Sequence, residues 1–277
     1  MMRSARALRA LALPVLALPV LGLVAGVVYP LALTLLRALR PGVMARVLGA
    51  TWFRAALLHT AEIALLATGG CIVMALVLGL VIAFLPFPGA RLVARAIDTV
   101  IALPTFLVAL AFTFFYGSAG VVNEALMAVL HTRTPPLAFL YTIWGVIMIE
   151  VTVYTPFVLR PLLAAFGQID RAQLEMASSL GAGPWRIARR IVLPAAMPAL
   201  LAGGSLCLLL TVNEFGVLFF IGAKGVITLP LLIYEKAIEE FDYPAACAIA
   251  LVSVALSLSL FGVYRAVLRR LAMPSGT

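Results

Sequence analysis

Three carboxylates stand where carboxylates are rare. Glu62, Glu150 and Glu214 each fall inside a long apolar run, and a charge placed in hydrocarbon is costly enough that it usually faces a polar pathway or a partner group. Glu214 has the most polar company. Asn213-Glu214-Phe215-Gly216 sets a polar pair before an aromatic ring and a glycine that weakens a helix. Such a cluster could line or gate a path for a polar solute, with Asn213, Glu214, Phe215 and Glu150 as the candidate residues; it could equally hydrogen-bond one helix to the next. Covalent chemistry has little support, because no His-Glu-x-x-His pair and no Gly-x-Ser-x-Gly turn occurs. Cys71, Cys207 and Cys247 sit in apolar runs without metal or redox spacing and read as small buried hydrophobes. His59 and His131 stand alone near span ends, so no catalytic residue, metal or cofactor is expected.

The elements that must hold these acids are membrane helices. Hydrophobic residues make up 64% of the 277 and charged ones 11%, and the mean hydropathy of +1.16 is more than a water-soluble interior of this size could hide. The expected fold is therefore an all-α membrane protein with six transmembrane helices. Apolar runs place the spans at about 10–36, 57–85, 97–116, 137–159, 195–221 and 244–267. The first run exceeds the core of a secretory signal and reads as a retained span. Residues 117–136 carry Asn123, Glu124, His131 and Arg133 and are too polar to cross, so Val121–Leu130 is expected along the interface. Gly69-Gly70 and Gly203-Gly204 should allow close helix approach, and Asp242 should cap the sixth span. No internal repeat is evident, and the chain divides into a first span with its outer loop, 1–56, and a core, 57–277.

The longest polar interruption is Gln168–Pro198, with a loop proper at about 168–194. Asp170 followed by Gln173 reads as a capping-box start, and Gly181 as a stop at positive φ. Pro184 suits a first helical turn, after which Trp185, Ala188 and Val192 share one side and Arg186, Arg189 and Arg190 another. Pro194 and Pro198 should end this unit. The result is a helix-turn-helix knob. Counting Lys and Arg on alternate sides puts thirteen of the 20 with the knob and both termini, which makes that side cytoplasmic. The net charge of +9 is then topological, meets anionic lipid, and gives nucleic-acid binding little support.

Glu175-x-Ala177, three residues, Gly181, nine residues and Ile191-x-Leu193-Pro194 resembles the EAA loop of permease subunits of binding-protein-dependent ABC importers. Met176 stands where the motif has its first alanine. The resemblance runs from roughly Thr60 to the C-terminus. It implies that Glu175, Ala177, Gly181, Ile191, Leu193 and Pro194 couple the chain to a cytoplasmic ATPase dimer. No G-x-x-x-x-G-K-[ST] phosphate loop is present, so the ATP must be hydrolysed by that other chain. The same resemblance implies a location in the inner (plasma) membrane, a second permease subunit, either homologous or a second copy, and a periplasmic or surface solute-binding protein.

Phe220–Tyr234 and Glu240–Ala246 resemble the permeases of 2-aminoethylphosphonate importers. Thiamine, ferric-iron and polyamine permeases are similar but less close, and the Glu-Phe-Gly triplet at 214–216 is similar to sulfate and molybdate permeases. A phosphonate or related small polar solute is the expectation. A membrane-embedded enzyme or a secondary transporter would leave the knob spacing unexplained.

Overall fold

A computed structural model describes residues 2–85 and 87–272, with the side chains of 2–18, 20 and 268–272 outside that description. Ser275 lies outside it, as do the side chains of Arg3, Arg6, Arg9, Arg269 and Arg270 that weigh in the charge count. The described chain is helical without strands. It runs α1 (Met2–Ala38), α2 (Val43–Gly49), α3 (Thr51–Phe84), α4 (Ala90–Thr99), α5 (Thr105–Tyr116), α6 (Val121–Leu130), α7 (Ile143–Phe166), α8 (Arg171–Ser179), α9 (Pro184–Ile187), α10 (Leu193–Val212), α11 (Gly216–Ile221), α12 (Leu229–Tyr234) and α13 (Tyr243–Ala272). Six stretches are long and apolar enough to cross a membrane, which matches the expected number.

The core is a three-helix pack of α3, α7 and α10, joined by α5 and α11. Small residues set the separation. A Cβ on Gly203 would stand 2.9 Å from Val158 Cα and 3.1 Å from Phe157 O, so α7 and α10 meet backbone to backbone there. Gly70 would press 2.6 Å from Val151 Cγ2, and a Cβ on Gly204 would overlap the Tyr264 hydroxyl. Gly69 has open space, so only one glycine of the first pair serves packing. A second cluster ties α1 and α2 to the start of α13 and the start of α3 through Ala38, Val47, Phe53, Ala56, Leu229 and Ile249. Asp242 caps α13 as expected, accepting from Ala245 N at 3.1 Å, and it also pairs with Arg46 at 3.1 Å.

Several boundaries differ from the sequence expectation. The third span does not start at Ile97. Residues 90–99 form the separate surface helix α4, a 3-10 turn follows at Val100–Ala102, and Pro104 then opens α5. At ~1.5 Å per residue, the 12 residues of α5 rise only about 18 Å. The third membrane-length stretch, Thr105–Leu130, joins α5 to α6 by length and composition, and α6 is the Val121–Leu130 helix that the polarity of 117–136 set along the interface. Within α6 Asn123 is fully buried, donates to Gly117 O and Leu137 O at 2.8 Å, and accepts from Leu137 N at 2.9 Å. The fourth helix begins at Ile143 rather than Leu137 and carries Pro156 and Pro161 within it. His59 is half-buried, with Nδ1 at 3.2–3.3 Å from Ile227 O and N, rather than a free interfacial residue.

Pro194 and Pro198 do not end the knob. Helix α9 passes through a π-turn at Ala188–Val192 into α10, and Pro198 lies inside that helix. The physical reason is a shift of the ladder: Leu193 N bonds Ala188 O, five residues back, so Pro194 falls in a new first turn where its missing N–H leaves no gap.

Candidate functional site

The start and the turn of the knob form as their sequence implies. Asp170 accepts from Ala172 N at 2.9 Å, which satisfies one of the open amides at the start of α8. Gly181 has φ +81°, with Ala182 N bonded to Ala177 O at 3.0 Å and Gly181 N to Ser178 O at 2.9 Å. This is the left-handed helix stop that glycine adopts without penalty. Pro184 then opens α9 at its first turn. Met176, Leu180 and Trp185 are strongly exposed at the tip, Leu180 to 83%, an apolar surface that a partner chain could cover.

The six coupling candidates do not share one face. Ala177 and Ile191 meet across a shallow groove with Gln173, Met176 and Leu180. Glu175 lies on another wall of α8, on a cavity of about 550 Å³ shared with Arg91 and Arg171. Gly181 shapes the turn, while Leu193 and Pro194 begin α10. Trp185, Ala188 and Val192 line one groove of about 530 Å³ against the end of α3, so their common side holds, although Trp185 itself is largely exposed.

The second cluster lies at the other end of α10. The helix stops at Asn213, whose Nδ2 donates back to Leu209 O at 2.7 Å, and α11 restarts at Gly216. The break that Asn213-Glu214-Phe215-Gly216 suggested is therefore present. Glu214 is buried and fully engaged: Oε1 accepts from Thr105 Oγ1 at 3.1 Å and Val217 N at 2.9 Å, and Oε2 accepts from the Tyr154 hydroxyl. One carboxylate thus ties α5, α7 and α11 together at the interruption of the fifth span. Gly216 makes room for it, since a Cβ there would stand 2.9 Å from Thr105 Oγ1. Phe215 stacks on Phe219 at 5.0 Å and packs on Tyr234 at 5.4 Å, while Asn213 is exposed.

Glu150 lies one turn before Tyr154 on α7, only 2% exposed, and its Oε2 has no hydrogen-bond partner among the described residues. Glu62 is exposed on α3 and belongs to neither cluster. Sequence reasoning missed Thr105, Tyr154 and the Arg160–Asp98 pair at 2.7 Å. The i+4 spacing of Tyr154 from Glu150 would have pointed to the wrong carboxylate, since its hydroxyl bonds Glu214.

A helical bundle with six membrane-length stretches, a two-helix knob at one end and a polar-clasped helix break within it is the build of a membrane transport subunit. Residues 75–273 match the family described as binding-protein-dependent transport system inner membrane component, and the chain belongs to that family. It is 58% identical over 213 residues, 77% of this chain and 74% of the relative, to a candidate 2-aminoethylphosphonate transport system permease protein, PhnU, of Salmonella typhimurium. The sulfate transport system permease protein CysT of Escherichia coli is 33% identical over 178 residues, covering 63% of this chain and 61% of that protein. Among solved structures, a bacterial ABC transporter involved in import of the acidic polysaccharide alginate superposes with a TM-score of 0.76 at 19% identity, over 95% of this chain and 96% of that one. The fold is thus that of an ABC importer permease.

Proposed function

We propose that this chain imports 2-aminoethylphosphonate, as one permease half of an ATP-driven transporter. The observation that carries the solute assignment is the 58% identity to PhnU, against 33% to the sulfate permease. The exposed knob is the surface for a separate cytoplasmic ATPase dimer, and a solute-binding protein delivers the phosphonate on the opposite face. A second permease, homologous or identical, completes the path. The termini and knob face the cytoplasm, following the basic residues.

In this reading ATP-driven closure of the partner moves the knob, and two halves swing between inward- and outward-open states. Glu214 acts at the break as a gate post. With Thr105, Tyr154 and Val217 all bonded to it, it holds the outer end of the fifth span in register rather than touching solute in this state.

The test is uptake of radiolabelled 2-aminoethylphosphonate in cells with and without the gene for this chain. Loss of uptake on deletion, restored by the gene and unaffected by excess sulfate or thiamine, is the expected outcome. Uptake that survives deletion, or is competed by sulfate, refutes the solute assignment.

A further inference from the structure

The cavity of about 550 Å³ beside the knob is built from three kinds of surface. Phe84, Leu85 and Phe87 come from the end of α3 and the turn after it, where the second membrane-length helix stops. Ala90 and Arg91 come from the first turn of α4. Arg171 and Glu175 come from α8.

These charges have no ion-pair partner within the described chain, and Glu175 is also one of the residues that the resemblance assigns to ATPase coupling. Neither arginine is ion-paired among the described residues, and Arg171 and Glu175 do not bridge although they stand one turn apart. Helix α4 has no buried residue and exposes Leu92 to 72% beside Arg91 and Arg95. That composition suits a helix lying in the head-group layer of a bilayer. The cavity therefore offers two cations and one anion over an apolar wall, at the level where a membrane helix ends.

We propose that this cavity seats the headgroup of an ethanolamine phospholipid, with the phosphate on Arg91 and Arg171, the ammonium on Glu175, and the acyl chains along Phe84, Leu85 and Phe87. Guanidinium groups match phosphate oxygens through paired N–H donors. Glu175 separates this occupant from phosphatidylglycerol, whose headgroup carries no cation for it to pair with, and from choline, whose methyls deny it a hydrogen bond. Free 2-aminoethylphosphonate carries the same pair of charges, but it has nothing to cover the apolar wall. The assignment does not depend on which solute the chain transports.

The test is native mass spectrometry of the full-length chain, delipidated in detergent and titrated with synthetic phosphatidylethanolamine, phosphatidylglycerol or phosphatidylcholine. Phosphatidylethanolamine should be retained best. Arg91→Gln and Arg171→Gln should each weaken retention about fivefold. Glu175→Gln should abolish the preference for ethanolamine over choline while leaving phosphate binding, and Arg95→Gln, on α4 but outside the cavity, should change nothing. Retention that is equal for phosphatidylglycerol, or unchanged in the double arginine variant, overturns the proposal. Displacement of the lipid by millimolar 2-aminoethylphosphonate also overturns it and assigns the cavity to a free zwitterion.

Discussion

Tyr154→Phe isolates the bond on which the clasp at the helix break depends. The substitution keeps the ring beside Phe157, at a centroid distance of 6.1 Å, and removes only the hydroxyl that donates to Glu214 Oε2. Thr105 and Val217 still hold Oε1, but Oε2 loses its donor, and Glu214 is 8% exposed, so little water can replace it. Hydrogen bonds between membrane helices average only about 0.6 kcal/mol and reach roughly 1.7. A bond to a charged group contributes about 1.5–3 kcal/mol, and the orphaned acceptor adds its own desolvation penalty. The buried, orphaned acceptor puts the loss near the upper end of these ranges, about 2 kcal/mol, or roughly thirtyfold in the unfolding equilibrium. The assay is reversible unfolding of the full-length chain by SDS in mixed micelles, as a double-mutant cycle with Glu214→Gln. A coupling energy of about 1.5 kcal/mol is expected, and one below about 0.5 kcal/mol would show that hydroxyl and carboxylate do not act as a unit.

Two further outcomes test the knob and the orientation. Gly181 has φ +81° and open space where a Cβ would go, so Gly181→Ala should cost about 1–2 kcal/mol of backbone strain locally. Gly181→Asp should in addition lose ATPase copurification and uptake, with membrane insertion unchanged; full copurification would remove the knob from the coupling role. Single cysteines at Ala182 and Gly225 should be respectively shielded from and open to an impermeant reagent in intact cells, and the reverse pattern would invert the proposed topology.

The knob was legible because its signals are local. Asp170, Gly181 and Pro184 each solve a main-chain problem within four residues of themselves, and the structure uses all three as their chemistry implies. Pro194 and Pro198 were misread because the remedy, a π-turn at Ala188–Val192, leaves no mark in side-chain types. The third span was misplaced for a different reason. Apolar content says how much hydrocarbon a segment prefers, but not where its helix breaks, here at the 3-10 turn Val100–Ala102 before Pro104. Glu214 stood out as a rare residue in an apolar run, whereas its donors Thr105 and Tyr154 are 109 and 60 residues away and come together only through packing.

The two clusters are joined by one piece of backbone. Pro184–Val212 is 29 residues, and at ~1.5 Å each it measures about 44 Å from the knob to the clasped break. A helix of that length transmits a push only if it does not bend at its weak points, which are the two prolines and the glycine pair. Pro194 is absorbed by the π-turn, and Gly203 and Gly204 are wedged against Val158 and Tyr264, whose hydroxyl also donates to Leu200 O at 3.0 Å. Pro198 remains the least supported joint, with its side chain exposed. On the proposed mechanism, displacement at the knob would thus reach the Glu214 clasp with little lost on the way. The first bonds it strains would be those that Thr105 and Tyr154 make from α5 and α7.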